Sequence, residues 1–144
     1  MDEARFGLIS DLGRRITRRG VKPVSHVSYE RANFWLYGAT DVLSGAGYLR
    51  TFLRFNSENF QQFMDDLVAA YPQDIHLLLV DNSRTHLANT LEVPATMALH
   101  FLPAYSPDLQ PQERLWQLLK LALKGLLPDS LYELQERIGS TWHL

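Results

Sequence analysis

The 144-residue chain contains no cysteine, so disulfides, thiolate metal sites and a cysteine nucleophile are all excluded. Apolar runs such as Leu77–Val80 fall far short of the roughly 18 residues a membrane span needs, and no charged segment followed by an apolar stretch opens the chain. A soluble cytoplasmic protein without a membrane partner is therefore the expectation. There is no glycine-rich phosphate loop of the Walker type, which disfavours a nucleotide hydrolase. An excess of positive charge is missing as well. Fourteen Lys and Arg against sixteen Asp and Glu give a formal net charge of −2, and that offers no bulk attraction for a polyanion. What remains, 46% hydrophobic and 21% charged, is the composition of an ordinary globular domain with enough chain for one core.

Charge is nonetheless unevenly placed. Arg14, Arg15, Arg18, Arg19 and Lys22 crowd a short stretch near Gly13, Gly20 and Pro23, a basic loop or turn that reads either as a solvated surface segment or as a phosphate-binding one. Ser25–Asp41 carries strand-favouring residues, enough for two strands or one long bent one. Turn residues follow at 41–47, and Tyr48–Phe55 completes a hairpin.

From Ser57 the period changes. Phe60, Phe63, Met64, Leu67, Val68 and Tyr71 share one helical face, and Pro72 ends the helix. Ile75–Val80 reads as a strand covered on both faces and runs into the polar turn Asp81-Asn82-Ser83. A short helix at Arg84–Thr90, a strand at Met97–Leu102 and a proline-rich loop come next. A helix starting near Pro111 or Gln112 should run to Gly125, and Ser130 with Glu133 forms a capping-box pattern for a last helix. Antiparallel strands followed by βαβ units imply a mixed α/β sheet with helices on its faces.

Asp81 ends a buried strand, where open α/β sheets bind ligands, although Asp-Asn-Ser is also good turn chemistry. Glu113 falls in the first turn of a helix, where the macrodipole favours a carboxylate whatever its role. Asp2 and Glu3 form an acidic pair at the chain start, which also reads as a frayed terminus. Carboxylates gathered in one crevice repel by about 4 kcal/mol per pair at 4 Å in an effective dielectric near 20, so such a group calls for cations. With hard oxygen donors and no cysteine, those cations are Mg²⁺ or Mn²⁺, and a pair of them is a device for phosphodiester displacement.

The string VDNSRTH (80–86), followed by FLPAYSPDLQPQERLWQLLK (101–120), resembles the second and third acidic blocks of DDE transposases of the mariner-type superfamily, in its bacterial insertion-sequence branch. DEARFGL (2–8), GRRITRRGVKP (13–23) and WLYGATDVLSG (35–45) are similar to the first acidic block, the basic stretch after it and the second strand with its turn. The resemblance implies a ribonuclease-H-like fold, a mixed five-stranded sheet flanked by helices, with residues 1–144 as the catalytic domain. It implies Asp2, Asp81 and Glu113 as the triad holding two Mg²⁺ or Mn²⁺ ions; positions 82–112 separate the last two, a spacing close to the one such transposases use. Asn82 and His86 would flank the site, Tyr105 and Ser106 would shape the loop that delivers Glu113, and the five basic residues would hold DNA phosphates. For His86 a surface-turn histidine is the competing reading; Trp116 and Leu119 read as core.

The chain departs from the family pattern in three places. Gln110-Pro111-Gln112 stands where members carry Asn-Pro and an aliphatic residue, Ile16 replaces an aromatic, and only Met1 precedes Asp2. The first strand is therefore expected to be largely missing, and the N-terminal helix-turn-helix domain absent. The implied activity is metal-dependent cleavage of DNA at element ends with strand transfer to target DNA, by a homodimer or together with a full-length or upstream-frame transposase. An inactive remnant that only binds DNA or a transposase is the alternative, and another ribonuclease-H-like nuclease a third.

Overall fold

A computed structural model describes residues 1–9, 16–22, 24, 26, 28–103 and 110–142. The element order is β1 (Asp2–Gly7), β2 (Asn33–Thr40), β3 (Gly47–Phe52), α1 (Ser57–Ala70), β4 (His76–Val80), β5 (Met97–Phe101), α2 (Pro111–Leu123) and α3 (Leu131–Trp142). Two compact units divide the chain. One comprises Met1–Arg5 with Phe34–Leu115, and the other Phe6–Asn33 with Trp116–Leu144.

The first unit holds most of the strands. β2 and β3 form an antiparallel hairpin in which Tyr37 faces Arg50 and Ala39 faces Tyr48, and β1 lies on the other side of β2. Asp41 closes the turn by accepting from the Leu43 and Ser44 amides, and Gly45 supplies the positive φ of +77° the turn requires. β4 and β5 run parallel in register, His76 beside Met97 and Val80 beside Phe101. The Met1 ammonium donates to the Leu79 carbonyl at 3.0 Å, which sets β4 beside the head of β1.

α1 packs its periodic face inward, as its spacing dictates. Asn56 caps it by accepting from the Asn59 amide at 2.9 Å, and Phe60, Phe63, Met64 and Leu67 are buried with Tyr37, Leu78, Val80 and Met97. Phe63 meets the rings of Tyr37 and Tyr48 at centroid distances of 5.9 and 5.7 Å.

The second unit has its own small core. Phe6 meets Trp116 edge-on at 6.3 Å, Trp116 meets Trp142 at 6.1 Å, and Leu8, Leu119, Leu134 and Ile138 are buried. Ser130 accepts from the Glu133 amide at the start of α3, while the Glu133 carboxylate reaches back to the Asp129 amide, one residue earlier than an ideal capping box. Gly7 is fixed by close approach: a Cβ there would stand 2.9 Å from the Ala32 carbonyl oxygen, which already accepts from the Leu8 amide.

The structure corrects several expectations. Of the first strand, expected to be largely missing, Asp2–Gly7 are present and paired with β2, because Ala4, Phe6 and Leu8 alternate inward at period two. Within Ser25–Asp41, where two strands or one long bent one were expected, the described residues form one short strand, Asn33–Thr40. Residues 84–90 form turns in place of a helix, with the His86 and Leu87 amides both donating to the Ser83 carbonyl. β4 is covered on one face: Leu78 and Val80 are buried, whereas Leu77 is 67% exposed.

This division predicts a steep contrast in urea denaturation. Phe63→Ala should cost about 3–5 kcal/mol by opening a cavity, while Leu77→Ser should stay within about 0.5 kcal/mol of the parent.

Candidate active site

Buried Val80 delivers Asp81 to the carboxyl end of β4, and both readings of Asp81 hold at once. Its Oδ1 accepts from the Ser83 amide at 3.0 Å, an Asx-turn, and also lies 2.7 Å from His86 Nδ1. The side chain remains 49% exposed, so it is open to a ligand.

His86 is not a surface histidine. Its side chain is 1% exposed, its ring tilted against that of Phe60 with centroids 4.4 Å apart, and its Nε2 lies 2.9 Å from Glu3 Oε1. Burial opposes charge on this ring, but the hydrogen bond and charge of Glu3 and the charge of Asp81 outweigh it and raise the pKa above the usual histidine value. When the ring is protonated both nitrogens donate, each to a carboxylate. Glu3, with its side chain only 5% exposed, is the member the sequence reading missed. Its position next to Asp2 gave no signal, since a terminal Asp-Glu pair looks solvated.

The chain start is ordered rather than frayed. Met1 is buried, its ammonium bonded to Leu79 and its carbonyl accepting from Gln110 Nε2 at 2.9 Å. Burial lowers the ammonium pKa, against the opposing pull of Asp2, Glu3 and Asp81. Asp2 is pushed up to about 6, first by burial and then by the charges of Glu3, Asp81 and Glu113, with the Glu3 amide acting in the opposite direction. Asp2, Asp81 and Glu113 are thus close enough to act on one carboxyl. Among the described residues, however, no three His, Asp or Glu side chains stand close enough to share a single metal ion.

Glu113 occupies the first turn of α2, whose N-terminus favours its charge. The Glu113 amide donates to the Gln110 carbonyl, and the Gln110 side chain ties this helix start to Met1. The extra methylene of glutamine at 110 is what spans that gap. Thr40 donates to Gln112 Oε1 at 2.8 Å on the adjoining side. Asn82 donates to the Leu102 carbonyl at 2.7 Å and so fixes the turn after β4 to the end of β5.

The other expected residues divide. Arg18, Arg19 and Lys22 are exposed around a turn in which the Val21 amide donates to the Arg18 carbonyl and Gly20 takes φ +86°. Arg14, Arg15, Tyr105 and Ser106 lie outside the described residues. Trp116 and Leu119 are core, as expected.

Two outcomes follow for the metal-free protein. His86→Ala leaves the Glu3 carboxylate buried without its partner and should cost about 3–5 kcal/mol in urea denaturation. Because Asp2 titrates near 6 when folded and near 3.8 when unfolded, the folded state holds its proton longer, and stability falls as pH rises from about 4 to 6. His86 acts in the same direction at higher pH: its raised pKa contributes stability that is complete below the unfolded histidine value and lost as pH rises through the folded one. Asp2→Asn should therefore stabilise at pH 7 by on the order of 2–3 kcal/mol and change little at pH 4.

The sequence profile of the DDE superfamily endonuclease family matches residues 1–135. An uncharacterized protein of Sinorhizobium fredii (strain NBRC 101917 / NGR234), y4pE/y4sA, is 28% identical over 87 residues, 60% of this chain and 64% of that one. Among solved structures, a pre-cleavage Mos1 transpososome is similar with a TM-score of 0.75 at 20% identity, covering 98% of this chain and 46% of the other. The Mos1 mariner paired-end complex with Mn gives a TM-score of 0.73 at 22% identity, covering 99% and 46%. The chain thus spans less than half the length of those proteins. It has the mixed α/β, ribonuclease-H-like fold of the Mos1 catalytic domain. By the match across residues 1–135, the chain belongs to the DDE superfamily endonucleases.

Proposed function

We propose that residues 1–144 form the catalytic domain of a cut-and-paste DNA transposase, with Asp2, Asp81 and Glu113 as its catalytic, metal-binding carboxylates. The observation that carries this reading is the raised pKa of Asp2, produced in part by the charges of Asp81 and Glu113, which come from segments far apart in sequence. Such convergence destabilises the fold unless a cation joins the site. The donor set fits Mg²⁺ or Mn²⁺, since every donor is a carboxylate oxygen and half-exposed Asp81 has room to turn toward an ion. Two such ions, when bound, activate the attacking water or 3′-hydroxyl and stabilise the leaving oxygen of a phosphodiester.

The chain's own residues do the rest. His86 orients the Asp81 carboxylate from behind, and Glu3 orients His86. Gln110 fixes the start of α2, and with it Glu113, relative to the strand bearing Asp2. Asn82 holds the turn that carries Asp81. The exposed Arg18, Arg19 and Lys22, with Arg14 and Arg15, hold DNA phosphates; such contacts set position but carry no sequence information. The domain acts on element ends and target DNA, in the bacterial cytoplasm at the nucleoid, as a homodimer or with a full-length or upstream-frame transposase that reads the ends. No helix among the described residues is long and apolar enough to cross a membrane.

Incubation with Mn²⁺ and supercoiled plasmid tests the reading. The parent protein should nick the plasmid, and Asp81→Asn should reduce nicking by at least a hundredfold while leaving DNA retention in place. Retention without nicking by the parent protein would identify a remnant that only binds DNA. Nicking unchanged in Asp81→Asn would remove the carboxylate from the chemistry.

A further inference from the structure

The contact between Glu3 and His86 joins β1 to the turn after β4, and each side of that joint carries an arginine the fold leaves unused. Arg5 is the next residue on Glu3's face of β1, because strand side chains alternate. Arg84 lies in the turn that holds His86, two residues before it. Both arginines are exposed, and neither guanidinium makes an ion pair or hydrogen bond among the described residues.

Carboxylates are at hand for both. Asp81 is three residues from Arg84 and half-exposed, and Glu3 is two residues from Arg5, yet both carboxylates take His86. Arg50, by contrast, is paired with Asp66 at 2.7 Å. The acidic end of the sheet thus uses a histidine between its carboxylates and keeps two guanidinium groups open to solvent.

The backbone under each arginine is fixed. Around Arg84, the Ser83 amide donates to Asp81 Oδ1, the Ser83 carbonyl accepts from the His86 and Leu87 amides, and the Ser83 and Thr85 hydroxyls lie 2.6 Å apart. Arg5 stands on a strand that lies beside β2. Two planar cations on such mounts are ready to receive an anion, and the guanidinium fork matches the oxygens of a phosphate. From Glu3 to Arg5 the strand advances about 7 Å, two steps of one strand of B-DNA at about 3.4 Å each.

We propose that Arg5 and Arg84 form a phosphate clamp that grips the DNA backbone beside the carboxylates before any metal is bound. The clamp rests on the transposase reading above and adds to the basic turn two residues that belong to the acidic segments themselves. Carboxylates alone repel a polyanion, so a metal-free site needs a local grip to keep DNA within reach. Because the contacts are to phosphate, they position the duplex without reading its sequence.

The test is the salt dependence of binding to a short fluorescent duplex, measured on the full chain in EDTA. The slope of log K against log salt should fall by about 1 in Arg5→Gln and in Arg84→Gln, and by about 2 in the double variant. Arg5→Lys and Arg84→Lys, which keep the charge, should restore it. Melting temperatures of the Gln variants should match the parent, since neither guanidinium has a partner to lose. Arg50→Gln should leave the slope in place, because Asp66 already holds that guanidinium. Equal slopes in the parent and the double variant would overturn the clamp. An equal fall in Arg50→Gln would assign the effect to net charge and overturn it too. Nicking with Mn²⁺ separates the clamp from the catalytic reading. A protein that nicks but keeps its slope in the double variant has the chemistry without the clamp, and one whose slope falls but that never nicks has the clamp without the chemistry.

Discussion

Like charges gathered at the end of a sheet govern the architecture of this chain. Asp2, Glu3, Asp81 and Glu113 come from the chain start, from the turn after β4 and from the first turn of α2, and burial, helped by the charges of the other three, pushes the Asp2 pKa up to about 6. The fold counters this locally in two ways. Buried His86 sits between Glu3 and Asp81, whose hydrogen bonds and charges raise its pKa, and the N-terminus of α2 lies under Glu113. Neither relieves Asp2. The aromatic core behind the sheet, Phe60 and Phe63 against Tyr37, provides the stability against which that residual repulsion is carried.

Three backbone-directed bonds keep the arrangement from relaxing. Met1 donates to Leu79, Gln110 donates to Met1, and Asn82 donates to Leu102. Together they fix the chain start, the start of α2 and the turn after β4 to a common frame, so the carboxylates cannot drift apart to lower their energy. Sites of this kind exchange stability for readiness to bind. The near-neutral composition is consistent with it: part of the acidic excess sits where a cation would cancel it, and Arg18, Arg19 and Lys22 gather around one exposed turn.

Much of this was legible in the sequence. Periodicity located α1 and α2 within about two residues, and the Ser130–Glu133 pattern located the start of α3, because each buries one apolar face. The apolar run before Asp81 identified both β4 and the end at which it presents a side chain. What could not be read depends on distant partners. Glu3 and His86 are 83 positions apart and meet only in the folded chain. The exposure of Leu77 follows from which elements cover β4, which an apolar run cannot tell, and residues 84–90 follow the turn set by Ser83 rather than their own weak helical preference. Gln110, read as a departure from the family pattern, reaches Met1 with its side-chain amide, a contact no local pattern announces.

The central claim is that the Asp2 carboxyl sits in a field of neighbouring carboxylates that a divalent cation reverses. Following the side-chain carbon of Asp2 by NMR through a pH titration, with and without Mg²⁺, measures this directly. The account predicts a midpoint near 6 without metal and a fall below the ordinary aspartate value with it. A midpoint near 3.8 without metal, or one near 6 that Mg²⁺ leaves unmoved, would contradict it.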